Sequence, residues 1–209
     1  MAGMSMMTDL AGDIFAYLSQ GGTVMVPLMA CAFVMWTLIL DRILFFSRLE
    51  RKDIELHALV RILDPAHSGK SPLPPGARGP RAHLVRHLLA NRTQDSSVNK
   101  RIVDQCIMAM TPGLERYLHA IAVLAAVAPL FGLLGTVTGM ITTFDVITLF
   151  GTGNAKAMAG GISEALVTTQ SGLVVSIPGF FMSALLFRQS AAAKNRLSEA
   201  AMILKRRLE

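Results

Sequence analysis

Residues 128–140 read Ala128-Pro129-Leu130-Phe131-Gly132-Leu133-Leu134-Gly135-Thr136-Val137-Thr138-Gly139-Met140, and this run decides what kind of chain the sequence encodes. It lies inside a longer stretch, Ala120 to Phe144, without a charged side chain, and a second stretch, Ala165 to Phe187, has none either. Crossing a bilayer takes about 20 predominantly apolar residues, so each stretch is long enough to span. In hydrocarbon every backbone N–H and C=O must be satisfied within the segment, which leaves the helix as the conformation of such a run. Leu118 to Phe187 is therefore expected to form a hairpin of two membrane helices joined by a tight outer turn near Gly153. Its load of Gly, Thr and Ser adds little hydrophobicity; such residues serve close helix packing or a polar path.

Thr136 and Thr169 lie almost equally far from that turn, so in antiparallel helices of equal rise their hydroxyls sit at nearly one depth. Residues seven apart return to the same face. Gly132, Thr136, Gly139 and Thr143 then share a stripe on the first arm, and Thr169, Gly172, Ser176 and Ser183 share one on the second. Two readings are open. Small residues let helices approach while hydroxyls bond back to backbone carbonyls; two matched polar stripes also make a solvated channel wall. Two carboxylates favour the second reading, because a charge at the bilayer centre costs about 2.5–3.5 kcal/mol on insertion scales. Asp145 is near enough to a helix end to reach headgroup water. Glu164 begins the long uncharged run and lies one turn from Thr168, a position from which a carboxylate can take or give a proton.

The run Ala128 to Met140, followed by Gly-Ile-Ser-Glu-Ala-Leu-Val-Thr-Thr (Gly161 to Thr169) and Gly-Leu-Val-Val-Ser-Ile-Pro (Gly172 to Pro178), resembles the MotA/TolQ/ExbB proton-channel family, and within it the ExbB members most. The motif match covers about 60 residues and is specific as a combination. The resemblance implies a channel subunit of a bacterial inner-membrane energy-transducing complex. It implies a homo-oligomeric ring, a pentamer, around a dimer of an ExbD-like single-span partner that supplies a membrane Asp, with a TonB-like protein powered for outer-membrane uptake. It also implies an ion pathway through Thr136, Glu164 and Thr169; the stripes and the close packing that glycine allows give Gly132, Gly135, Gly139, Thr143, Gly172 and Ser176 as pore-lining or packing positions. Asp145 and Gln170 are further candidates. Thr-Gln-Ser-Gly (Thr169 to Gly172) places amide and hydroxyl groups where relatives tend to carry Ala, Ile or Leu. Those extra oxygens suit a partly dehydrated Na⁺ as well as water-relayed protons, so both ions stay open.

Composition agrees with a membrane protein rather than a soluble enzyme: 209 residues, 52% hydrophobic. The net charge of +6 does not point to nucleic acid, because of where it falls. Of 20 Lys and Arg, 13 lie between Arg42 and Arg116, one in the outer turn and six from Arg188 onward. That is the positive-inside pattern, with anionic lipids as the natural partner of the charge. No cofactor or metal is expected. Cys31 and Cys106 lie in different compartments and cannot pair, and the i, i+4 pair His83 and His87 has no third ligand in register. No Ser or Cys nucleophile in the spans has a His partner, so no enzymatic activity is expected.

The fold class that follows is an all-α membrane protein of three transmembrane helices with long cytoplasmic helical extensions, assembled as a ring. Residues 1–20 form a periplasmic segment with an amphipathic piece from Thr8 to Ser19. Residues 21–46 are the first span, ending at Asp41-Arg42 and Arg48. Residues 47–111 are a cytoplasmic loop of amphipathic helices (Arg48 to Leu63, Arg81 to Asn91, Val98 to Met110) with a Pro-rich linker over His67 to Pro80. Thr111-Pro112 is expected to start a fresh helix, Thr as N-cap and Pro at the first position, with a kink in a continuous helix as the alternative. Residues 112–150 are the second, long helix, 151–157 the periplasmic turn, 158–188 the third span, and 189–209 a cytoplasmic tail. The N-terminus is then periplasmic and the C-terminus cytoplasmic, with Cys106 as a built-in reporter. Competing functions are a TolQ-like or MotA-like stator subunit, and a non-conducting membrane scaffold, which needs small residues but no buried acid. A transporter of half-repeats would use helices interrupted at Pro129 and Pro178.

Overall fold

The computed structural model describes residues 20–51 and 79–208; the Thr8 to Ser19 piece, most of the Arg48 to Leu63 helix and the linker up to residue 78 lie outside the described residues. The described elements are helical: α1 (Met25–Arg51), α2 (Pro80–Ala90), α3 (Ser96–Glu115), α4 (Leu118–Phe150), one 3₁₀ turn (Gly151–Gly153) and α5 (Ala155–Arg207). Three apolar segments, within Met25–Leu49, Ser96–Gly153 and Ala155–Arg207, are long and apolar enough to cross a membrane. The chain is an all-α membrane protein. Its contacts divide into two compact units, one drawn from Met1–Ile39 and Ala120–Ser183, the other from Leu40–His119 and Ala184–Glu209.

The second unit has a three-helix core. Leu84, Val85 and Leu88 of α2 pack with Val103 and Cys106 of α3 and with Leu197, Ala200, Ala201 and Leu204 of α5. These positions recur at helical spacing, so each helix buries one stripe and leaves its charges outside. Lys194 pairs with Glu115, Lys205 with Asp104, and Arg81 with Glu199 at 3.6 Å. Pro80 opens α2 at its first turn, where a missing N–H costs nothing. Asp95 caps α3, accepting the Ser97 amide at 2.8 Å, and the hydrogen bonds from Ser97 hold its carboxyl below the usual carboxylate range. That contribution is present above the ordinary aspartate pKa and is lost as pH falls through the lowered one.

Of the two expectations at Thr111-Pro112, the fresh helix start is not what is found. Helix α3 continues through Thr111 and Pro112 to Glu115, and the interruption falls at Arg116 and Tyr117, the latter at φ +63°. Side chains explain why continuing is favoured. Arg42 Nη1 donates to the Gly113 carbonyl at 3.1 Å and Ser190 Oγ donates to the Leu114 carbonyl at 3.2 Å, so orphan acceptors at the helix end find partners. Arg42 itself is 5% exposed, pairs with Asp41 at 3.2 Å, and lies over the rings of Phe45 and Tyr117 at 4.8 and 5.2 Å. It is a buried structural cation as well as a mark of the span's basic end.

Cys106 is buried and Gln105 beside it is exposed, so a topology reporter belongs at the neighbour. The α2–α3–α5 core also makes a stability prediction. Leu204 is fully buried while Met202, on the same helix, is 66% exposed. Leu204→Ala should cost about 2–5 kcal/mol and lower the thermal midpoint of the purified protein. Met202→Ala should leave it within about 0.5 kcal/mol; equal effects would remove the packing assigned to α5.

Candidate functional site

In the first unit α4 and the first part of α5 are joined at the 3₁₀ turn and lie in close contact. On α4 the buried stripe is Ile121, Ala125, Ala128, Gly132, Gly135, Gly139 and Thr143; on α5 it is Gly161, Ala165, Thr168, Gly172, Ser176, Gly179 and Ser183, with Ser171 buried beside it. Both series advance by steps of three or four residues, as one helix face does. The glycines are where the backbones meet. A Cβ on Gly135 would fall 2.4 Å from Thr168 Cβ, one on Gly139 2.6 Å from the Gly161 carbonyl oxygen, and one on Gly172 2.9 Å from the Ala128 carbonyl oxygen. A Cβ on Gly132 would come within 3.2 Å of Thr169 Cα. Within one chain, then, Gly132, Gly135, Gly139, Thr143, Gly172 and Ser176 face the other arm of their own hairpin.

Gly135, rather than Thr136, lies in this seam, packed against Thr168. Thr136 is half-buried at the seam's edge, and its hydroxyl donates to the Leu133 carbonyl of its own helix at 2.6 Å. Thr169, also half-buried, has its hydroxyl 3.2 Å from the Gly132 carbonyl and 3.1 Å from that of Ala165. Since Thr168 meets Gly135 and Thr169 meets Gly132, Thr136 and Thr169 stand within about one helical turn of the same level. Asp145 and Gln170 are exposed on the single chain.

One hydroxyl has a partner that sequence reasoning missed. Pro129 has no N–H, so the Ala125 carbonyl one turn earlier loses its helical donor. Ser176 Oγ, 2% exposed, donates to that carbonyl at 2.9 Å from the opposite arm. Proline in one membrane helix and serine at the matching depth of the next are a complementary pair. Thr143 Oγ1 donates to the Gly139 carbonyl of its own helix at 2.9 Å.

Glu164 is half-buried and points toward the N-terminal end of α1. Its neighbour there is Gly22, at φ +64°, and Thr168 one turn further along donates to the Glu164 backbone carbonyl and lies 3.4 Å from the Gly21 carbonyl. Among the described residues no cation pairs with Glu164 and no cluster of His, Cys, Asp and Glu could hold a metal.

Fold and site define a polytopic helical membrane protein with polar and acidic residues set inside its apolar spans. The chain belongs to the MotA/TolQ/ExbB proton channel family, whose model matches residues 77–199, and within the family it is most like ExbB. It is 30% identical over 196 residues to the putative biopolymer transport protein ExbB-like 3 of Synechocystis sp., covering 89% of this chain and 92% of the relative. To the biopolymer transport protein ExbB of Salmonella typhimurium it is 29% identical over 191 residues, 85% of this chain and 77% of the relative. Identity rises to 53% over 55 residues, 25% of this chain and 22% of the relative, in the putative ExbB-like 1 protein of Synechocystis sp.. With its three apolar helices this makes it a multi-pass inner-membrane protein.

The seam yields a direct test. Gly135→Leu should abolish accumulation of the folded protein, because its side chain would have to occupy the space of Thr168. Gly113→Ala and Gly160→Ala, where nothing lies within 4 Å of the added carbon, should accumulate as wild type. Quantitative immunoblotting of membranes separates the outcomes, and a normal level of Gly135→Leu would mean that the arms do not meet there.

Proposed function

We propose that the chain is the ring-forming proton-channel subunit of an ExbB-like complex, which uses the proton motive force with an ExbD-like single-span partner to power TonB-dependent outer-membrane uptake. The observation that carries this reading is a half-buried carboxylate, Glu164, in a hairpin whose adjoining apolar runs have no other charge, with Thr136 and Thr169 on the same pair of arms. A hydroxyl whose proton is already committed to a backbone carbonyl still offers lone pairs, so both threonines suit an arriving water, hydronium or cation. Neither can ionise near neutral pH, and from their level to the basic end of the hairpin arms the apolar runs contain no Asp, Glu, Lys or His. The group that titrates at that level is therefore assigned to a partner helix carrying an Asp, enclosed by a pentamer of this chain. As proposed, the protein carries out no covalent chemistry. The charge distribution supports a periplasmic N-terminus and a cytoplasmic C-terminus, with the basic helices against anionic headgroups.

The glycine seam favours a second reading, a membrane scaffold that conducts nothing, since close packing alone accounts for the small residues. Substitutions distinguish the two. Thr136→Val and Thr169→Val keep side-chain shape and remove the hydroxyl, and Glu164→Gln removes the charge. Each should lower ion-driven output in cells by about tenfold or more, an effect of the size expected for loss of a positioned relay group, while membrane level and native oligomer mass stay at wild type. Full output from a triple variant would leave the scaffold as the better reading.

A further inference from the structure

The N-terminal end of α1 has a feature that the ion-pathway reading leaves unused. A Cβ built on Gly22 would fall 1.6 Å from Oε1 of Glu164, 2.5 Å from its carboxyl carbon and 3.2 Å from its Cγ. The Glu164 side chain thus occupies the space that any other residue at position 22 would fill. Gly22 also stands at φ +64°, a conformation that glycine adopts freely and most residues do not. Gly21, its neighbour, is close to the Thr168 hydroxyl through its carbonyl oxygen, and Thr168 in turn fits only because Gly135 has no side chain. Two glycines therefore seat consecutive turns of α5: Gly135 admits Thr168 from one side, and Gly22 admits the carboxyl of Glu164 from the other.

We propose that the Gly21-Gly22 turn is the seat that positions the Glu164 carboxyl for ion transfer, with Gly22 as a positioning residue. The inference rests on the ion-pathway reading of Glu164 and extends it to the first membrane helix, which no pathway residue so far occupies. The seat is made of backbone. Residues 20–40 contribute no charged group, nor do residues 120–144 of α4, and the described charges nearest in sequence are Lys156 on α5 and Asp145 on α4, both exposed. With no cation among the described residues fixing it, the carboxyl is held by its fit against the turn and stays free to exchange its proton or cation. A shift of the α1 turn would move it.

The close approach involves the far end of a flexible side chain, so a larger residue at position 22 displaces the carboxylate before it disturbs the helices. Asn is the substitution of choice, because it tolerates positive φ better than other residues with a Cβ. Gly151 provides the control. It has nearly the same backbone conformation, φ +66°, and nothing within 4 Å of its added carbon. Gly22→Asn, Gly151→Asn and wild type, each purified with its partner complex, are compared by two readouts. One is ion-driven output in cells. The other is the rate at which Glu164 reacts with an apolar carbodiimide, followed by mass spectrometry, which reports the carboxyl's surroundings whether or not ions flow.

Gly22→Asn should lower output by about tenfold, as displacement of a positioned group does, and raise the carbodiimide rate at least about threefold as the carboxyl leaves its cover. Gly151→Asn should match wild type in both. Equal carbodiimide rates in Gly22→Asn and wild type would overturn the seat. Should Glu164→Gln keep full output while Gly22→Asn still changes the carbodiimide rate, the pathway reading fails and the positioning contact stands on its own. If Gly22→Asn does not accumulate, a Gly22→Cys, Glu164→Cys pair in a background without Cys31 and Cys106 decides the contact. The shortened residue removes the collision, and the pair should oxidise to a disulfide, which needs Cβ atoms about 3.5–4.5 Å apart. An accumulated but uncrosslinked pair would overturn the proposal.

Discussion

Two membrane helices come close enough in this protein that their backbones meet, and that approach depends on glycine. At Gly135, Gly139 and Gly172 an added carbon would lie within 2.9 Å of atoms on the opposite arm. In lipid there is no hydrophobic gain from pairing two apolar helices, so association rests on packing and on hydrogen bonds across the seam. Both are present. Ser176 bonds the Ala125 carbonyl that Pro129 leaves without a donor, and the Thr169 hydroxyl reaches the Gly132 carbonyl. The same closeness that admits these bonds leaves no room for a water path along the middle of the seam.

That constraint sorts the polar residues of the hairpin into two groups. Thr143, Thr168, Ser176 and Ser183 are all less than 6% exposed and belong to the packing. Thr136, Thr169 and Glu164 lie at its edges, half-buried, where a neighbouring subunit or a partner helix can reach them. On the proposed function such a rim suits a conducting surface, because the hairpin would hold the relay groups in place while they remain accessible. Glu164 adds α1 to the set, through the turn at Gly21 and Gly22.

Much of this was legible in the sequence, and for identifiable reasons. Uncharged runs of sufficient length fixed the three spans, and the Gly, Thr and Ser content marked the hairpin as more than an anchor. The family resemblance, carried by Ala128 to Met140 and Gly161 to Pro178, agrees with the match over residues 77–199. What was not legible depends on contacts between distant segments. A seven-residue count grouped Thr136 with Gly132 and Gly139, and only the packing against Thr168 shows that Gly135 is the residue between them in the seam. Pro112 reads locally as a helix start, yet Arg42 and Ser190 satisfy the end of α3 and carry the helix past it. Arg42 looked like a charge at a membrane border and is buried; Gly22 looked only like part of the start of the first span, and only the fold brings Glu164 onto it.

The central claim is that this chain builds the wall of an ion path and lacks the titrating group at the threonine level. Proton flux into liposomes tests it most directly, with the purified chain reconstituted alone and together with the proposed ExbD-like single-span partner at equal amounts of this chain. The account predicts negligible flux from the chain alone and clear, potential-driven flux once the partner helix is present. Equal flux in the two preparations would contradict it, because the chain would then hold a complete path of its own.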